Sequence, residues 1–135
     1  MIVLLDGNVL IALLSPDHSH NEVARHWFSS QGDRFASCPI TQGTLLRSML
    51  RDRPGTRPQD LVQVIDALKQ HPRHIFWGDT LDYGQVSLRG ILGHRQVTDA
   101  YLAGLARFHG AKLATFDRGL VASHPDVCIG LPIGD

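Results

Sequence analysis

Cysteine is nearly absent from this chain. Cys38 and Cys128 are two thiols in 135 residues, too few for a disulfide framework and without the spacing of a zinc-ligand set. Both fall on expected strands. In the strand order given below two other strands separate them by about 14 Å, beyond disulfide reach, so two inert, buried thiols are expected. An excess of charge of either sign is also missing. Thirteen basic and thirteen acidic side chains give a formal net charge of zero, which excludes a general polyanion-binding character and confines any nucleic-acid contact to a local patch. Long apolar runs are lacking too: nothing approaches the roughly 20 residues that span a bilayer. The opening Met1-Ile2-Val3-Leu4-Leu5-Asp6 has neither the basic segment nor the cleavage site of a secretory leader. The expectation is one cytoplasmic domain over residues 1–135, with no membrane partner.

What is present is an alternation of short apolar runs and helical periods. Residues 2–5 read as a strand buried on both faces, and Asn8 to Leu14 continue as a helix stopped by Ser15-Pro16. Val23, Ala24, Trp27 and Phe28 recur at helical spacing between His20 and Ser30, with Gly32 placed as a C-terminal cap. Phe35 to Cys38 is a short strand, and Pro39 leads into a helix from about Thr41 to Arg51. Pro58 opens a helix whose Leu61, Val64, Ile65 and Leu68 share a face, and Pro72 ends it. Residues 74–77 form a strand, whereas 78–93 fit no regular pattern. Thr98 is placed as the cap of a helix ending at Gly110, followed by strands at 112–116 and 127–129. Such alternation indicates an α/β fold with a mainly parallel sheet.

Three acids fall at one end of that sheet. Asp6 closes the first strand, Asp117 follows the strand 112–116, and Asp99 lies in the first turn of its helix. Ligands of open α/β sheets sit in this crevice beyond the carboxyl ends of the strands. Taken singly, each acid is explained as a turn residue or a favourable charge at a helix start. Together they make a different case. Two carboxylates about 4 Å apart repel by roughly 4 kcal/mol at an effective dielectric of about 20, so a cluster of three calls for a cation. All-oxygen ligands favour Mg²⁺ or Mn²⁺, which polarises a phosphoryl oxygen and lowers the pKa of a bound water. A phosphatase with Asp6 as nucleophile is disfavoured, because the second acid such enzymes carry two residues on is Asn8 here.

The segments Leu4-Leu5-Asp6-Gly7-Asn8-Val9-Leu10, Cys38-Pro39-Ile40-Thr41, Val97-Thr98-Asp99-Ala100-Tyr101-Leu102 and Ala114-Thr115-Phe116-Asp117 together resemble the PIN-domain ribonucleases, in particular the VapC-type toxins of toxin–antitoxin pairs, over nearly the whole chain. The resemblance implies a PIN-like three-layer α/β/α fold with sheet order 3-2-1-4-5. It also implies a Mg²⁺- or Mn²⁺-dependent endoribonuclease, a homodimer and a small VapB-type antitoxin partner. Asp6, Asp99 and Asp117 match three family acids as metal ligands. Asn8, Thr98 and Thr115 match polar positions whose placement suits holding the carboxylates or metal waters. After Pro39-Ile40-Thr41 the family pattern calls for Glu, and the chain has Gln42. Glutamine keeps the shape and one carbonyl oxygen but loses the charge and the capacity to act as a base. Gln42 is consistent with a natural, weakened or binding-only toxin and with a replacement that disarms a lethal nuclease.

Arg47, Arg51, Arg53 and Arg57 cluster on and after the helix bearing Gln42, and Arg118 follows Asp117. Arg47, Arg51 and Arg118 are candidate RNA contacts, against the plainer reading of solvated helix ends. His18 and His20 are spaced as a metal pair but lack a third soft ligand, and read as loop residues. Trp27 and Phe28 read as core, with an exposed part of their helix suited to an amphipathic partner segment. Apolar helix faces between residues 9 and 70 exceed what one sheet face covers, and a second copy is the expected partner for them.

Overall fold

The computed structural model describes residues 1–132. Five strands, β1 (Ile2–Leu5), β2 (Arg34–Ser37), β3 (His74–Phe76), β4 (Lys112–Thr115) and β5 (Cys128–Gly130), form one sheet in the order β3-β2-β1-β4-β5. Every neighbouring pair is parallel, with Val3 opposite both Phe35 and Lys112, and Leu113 opposite Cys128. Parallel strands require crossovers, and the six helices supply them: α1 (Gly7–Leu14), α2 (Asn21–Ser30), α3 (Pro39–Asp52), α4 (Pro58–Gln70), α5 (Gln96–Phe108) and α6 (Arg118–Ser123).

The period-two alternation of the strands divides the core in two. Val3, Leu5, Phe35 and Ala114 point to the face covered by α1, α2 and α4, where Val9, Leu10, Trp27, Phe28 and Leu68 pack. Leu4, Ala36 and Leu113 point to the other face, under Tyr101, Leu102, Leu105 and Ala106 of α5. This is the three-layer arrangement expected. Trp27 and Phe28 are only partly buried at the rim of the first cluster.

Local chemistry sets where the helices begin. Pro39 opens α3, and the Thr41 hydroxyl accepts the Cys38 N–H across 3.0 Å. Pro58 opens α4, with Asp60 accepting the Arg57 N–H across 2.8 Å. Gly7 is required where α1 crosses α3, because a Cβ there would lie 2.5 Å from Thr44 Cγ2.

Some expected boundaries move. Thr98 does not cap α5: the helix opens two residues earlier, at Gln96, whose side chain accepts the N–H groups of Leu92 and Gly93. Gly32 is not the left-handed cap of α2, which ends at Ser30 in extended backbone, whereas Gly110 has φ 63° after α5 as expected. Cys38 is buried just past β2, and Cys128 on β5 is only half-buried, with burial pushing its thiol up to about 11. Strands β1 and β4 separate the two cysteines. The segment 78–93 is tied to the core by Tyr101, whose hydroxyl donates to the Leu81 carbonyl across 3.0 Å.

Candidate active site

Asp6 is where β1 ends and α1 begins. Its backbone N–H donates to the Ala114 carbonyl at 3.0 Å, and its own carbonyl accepts from Val9 and Leu10, so the residue is locked between sheet and helix. Its carboxylate is buried, and Oδ2 accepts the Thr115 hydroxyl at 2.7 Å. Burial raises its pKa above the usual carboxylate value; the Thr115 and Gly7 donors oppose that rise and the Asp117 charge adds to it. Thr115 also accepts the Asp117 N–H at 3.0 Å. One hydroxyl on β4 therefore holds the carboxylate of one acid and the backbone of another.

Asp117 is exposed and caps α6, its Oδ1 accepting the Leu120 N–H at 3.1 Å. Asp99 lies in the first turn of α5. Its pKa is raised to about 6, first by burial and then by the charges of Asp6 and Asp117. The three acids thus come from three elements and repel one another across one crevice at the carboxyl end of the sheet. Asp99 and Asp117 line the same cavity of about 270 Å³.

A divalent cation fits this donor set in one manner only. Among the described residues no three His, Cys, Asp or Glu side chains are close enough to cage an ion by themselves. Asp6 Oδ2 and Asp117 Oδ1 are already engaged by Thr115 and Leu120. An all-oxygen site with raised carboxylate pKa values suits Mg²⁺ or Mn²⁺ held through one or two carboxylates and several waters.

The remaining expected residues are placed unequally. Thr115 donates to the Asp6 carboxylate. Asn8 and Thr98 are exposed and make no hydrogen bond to a carboxylate among the described residues. Gln42 lies in the first turn of α3 and turns its amide to the Ser37 hydroxyl at 3.1 Å, which in turn meets His74 Nε2 at 2.7 Å. Arg47 donates to Thr44 on its own helix, and Arg51 makes a two-point pair with Asp52 at 2.8 and 2.9 Å. Arg118 is exposed at the start of α6, next to Asp117. His18 accepts the His20 N–H at 3.0 Å and His20 stacks on Phe116, a turn rather than a metal pair. Sequence reasoning missed Arg89 and Gln96, which line the Asp99–Asp117 cavity. Arg89 lies in the irregular stretch before α5 and Gln96 opens that helix, and no periodic signal marked either.

The family model of the PIN domain matches residues 3–123. The chain belongs to the PIN-domain family. Within it, the chain is a member of the VapC toxin group: it is 46% identical over 132 residues to Ribonuclease VapC29 of Mycobacterium tuberculosis, covering 98% of each chain. Ribonuclease VapC44 of the same organism is 40% identical over 127 residues, covering 89% of each. Among solved structures, this PIN domain is similar in fold to Mycobacterium tuberculosis VapC20, described as a sarcin-ricin loop cleaving toxin, with TM-score 0.68, 16% identity and coverage of 89% and 93%. It is similar likewise to a toxin–antitoxin complex from Klebsiella pneumoniae, with TM-score 0.66, 18% identity and coverage of 97% and 99%. Among the described residues no helix of this PIN domain is long and apolar enough to cross a membrane.

Proposed function

We propose that this PIN domain is a divalent-metal-dependent endoribonuclease toxin, acting on RNA in the cytoplasm and held in check by a small VapB-type antitoxin. The observation that carries the reading is the convergence of Asp6, Asp99 and Asp117 at one end of the sheet, where Thr115 bonds both the Asp6 carboxylate and the Asp117 N–H and where Asp99 and Asp117 line one cavity. Asp6, Asp99 and Asp117 would hold the cation through one or two carboxylates and its waters, and the cation would supply an activated water and neutralise phosphoryl charge. Thr115 fixes the Asp6 carboxylate by its 2.7 Å hydrogen bond, so that the acid's orientation does not depend on substrate. Asp117 spends Oδ1 on the N-cap of α6, which leaves Oδ2 for a cation or its waters. Mg²⁺ and Mn²⁺ are equally compatible with this donor set.

The partner surface is assigned to the groove lined by α1, α2 and α4. There, Leu13, Leu14, Phe28, Val64 and Ala67 line an apolar groove of about 420 Å³ with Arg25 and His71 at its edge. An amphipathic antitoxin segment fits such a groove. Dimerisation is assigned to the remaining exposed apolar side chains, Leu50 and Val62 among them.

A second reading is a PIN-fold module that binds antitoxin or RNA without turnover. It is favoured by Gln42, a neutral side chain whose amide is turned to Ser37. The test is cleavage of a mixed RNA pool by antitoxin-free protein with Mg²⁺, with Mn²⁺ and with chelator, beside Asp6→Ala as the blank. Metal-dependent cleavage above the blank supports the nuclease. Cleavage equal to the blank, with RNA or antitoxin still bound, supports the module.

A further inference from the structure

We propose that Arg89 forms a subsite for a backbone phosphate of single-stranded RNA at the rim of the acid cleft, an inference that rests on the ribonuclease reading above. The cavity lined by Asp99 and Asp117 is lined also by Arg89, Leu92 and Gln96. At about 270 Å³ it is near the low end of small-ligand pockets, and has space for one nucleotide unit rather than a duplex.

This wall is a built surface. Gly90 takes φ 78° and lies so close to α6 that a Cβ would sit 2.7 Å from Ser123 Cβ. On the other side Gln96 Oε1 accepts the N–H groups of Leu92 and Gly93. Held at both ends, the loop nevertheless leaves Leu92 92% exposed, an apolar side chain with no role in the core. It offers a base an apolar surface beside the acids.

Charge supplies the second argument. Asp126 is held by Arg107 through two hydrogen bonds of 2.7 and 2.9 Å, and by Arg89 through one of 2.8 Å. Lys112 Nζ adds a bond of 2.8 Å to the Asp126 carbonyl. Three cations therefore converge on a single aspartate. Arg107 is the more buried partner, with side-chain exposure of 26% against 53% for Arg89, and its two-point contact satisfies Asp126 alone. The Arg89 charge is surplus to that pair, and Arg89 lines the cavity that Asp99 and Asp117 also line. A polyanionic strand entering that cleft needs such a cation outside the acids, and a guanidinium with unused N–H groups matches a phosphodiester.

The test uses the full chain carrying Asp6→Ala, so that RNA is bound and not cut. A fluorescein-labelled single-stranded RNA pool is titrated by anisotropy between about 50 and 200 mM salt. Arg89→Ala is expected to weaken binding about fivefold and to lower the log–log salt slope by about 0.7, the loss of one phosphate contact. Arg89→Gln, which can still donate to Asp126, gives the same change in slope, and Arg89→Lys retains it. Lys69→Ala, a charge loss on α4 near the far edge of the sheet, alters neither quantity. Affinity and slope in Arg89→Ala and Arg89→Gln equal to those of the Asp6→Ala parent would overturn the subsite and leave Arg89 a tether for its loop. A parent with no RNA affinity at all would overturn the ribonuclease reading, and the subsite with it.

Discussion

The side-chain amide of Gln42 lies 3.1 Å from the Ser37 hydroxyl and donates to it. Ser37 is thereby an acceptor, and its own proton is free to go to His74 Nε2, 2.7 Å away. A carboxylate at position 42 would accept instead of donate, which reverses the polarity of the chain.

Gln42→Glu is therefore expected to act twice. Restoring the anion that the family pattern has at this position should raise Mg²⁺ or Mn²⁺ affinity and RNA cleavage at least about tenfold, equivalent to roughly 1.4 kcal/mol. The Ser37 proton should turn to the new carboxylate, so that His74 carries its proton on Nε2, visible in ring-nitrogen NMR shifts. Calorimetry and cleavage rates identical to those of the present chain would place position 42 outside the catalytic shell.

Asp99 supplies a pH signature. Its folded pKa of about 6 lies above the ordinary value of 3.8. The stability it contributes is fully present below pH 3.8 and is lost as pH rises through 6. Asp99→Asn should accordingly raise the melting temperature of metal-free protein at about pH 7.5. The gain is about 4 °C for about 1 kcal/mol after solvent screening, and it should vanish near pH 4. A divalent cation should stabilise the unmodified protein at neutral pH and do so progressively less as pH falls through about 6. Thermal melts across this range check both.

Thr115→Val keeps shape and removes the only side-chain hydrogen bond to buried Asp6 among the described residues. The Asp6 carboxylate, already raised by burial, should rise further. Neutral-pH stability should fall by about 1–3 kcal/mol, the penalty of a buried polar group left without its partner, and recover as acid protonates Asp6. Urea unfolding at about pH 7 and about pH 5 measures the difference. Equal losses at both would show that the hydroxyl matters for packing and not for the charge.

Val64→Arg places a charge in the apolar groove beside Leu14 and Phe28. Antitoxin capture in co-expression should drop at least about tenfold while the melting temperature changes little, because Val64 lies at the half-buried rim. Undiminished capture would move the antitoxin to another face. Light scattering of the antitoxin-free protein should give the mass of two chains, and a single-chain mass at high concentration would remove the dimer.

The acid-bearing ends of β1 and β4 were legible because short apolar runs closed by Asp6 and preceding Asp117 mark both strands, whereas the sheet order came only from the resemblance to the PIN-domain ribonucleases. Thr115 was legible only through the resemblance, as a polar position of the family pattern. Helix α6 was not: six residues with Leu120 as their one buried side chain leave no period to detect. Arg89 was hidden for another reason, since its partner Asp126 is 37 residues away and a long-range ion pair leaves no local trace. The start of α5 was misplaced at Thr98 because a good capping residue was present, while Gln96 reaching back to Leu92 and Gly93 settled the boundary.

The hydrogen bond between Thr115 and Asp6 joins residues 109 positions apart. Strand β4 inserts directly beside β1, so the middle of the sheet is finished by a segment synthesised after β2 and β3. Pairings of such separation close late, after most of the chain has given up its freedom. A nascent chain that has not yet released residues 112–117 has Asp6 but neither its Thr115 donor nor Asp117. The ribosome that makes this protein therefore handles an unfinished site until residue 117 has emerged.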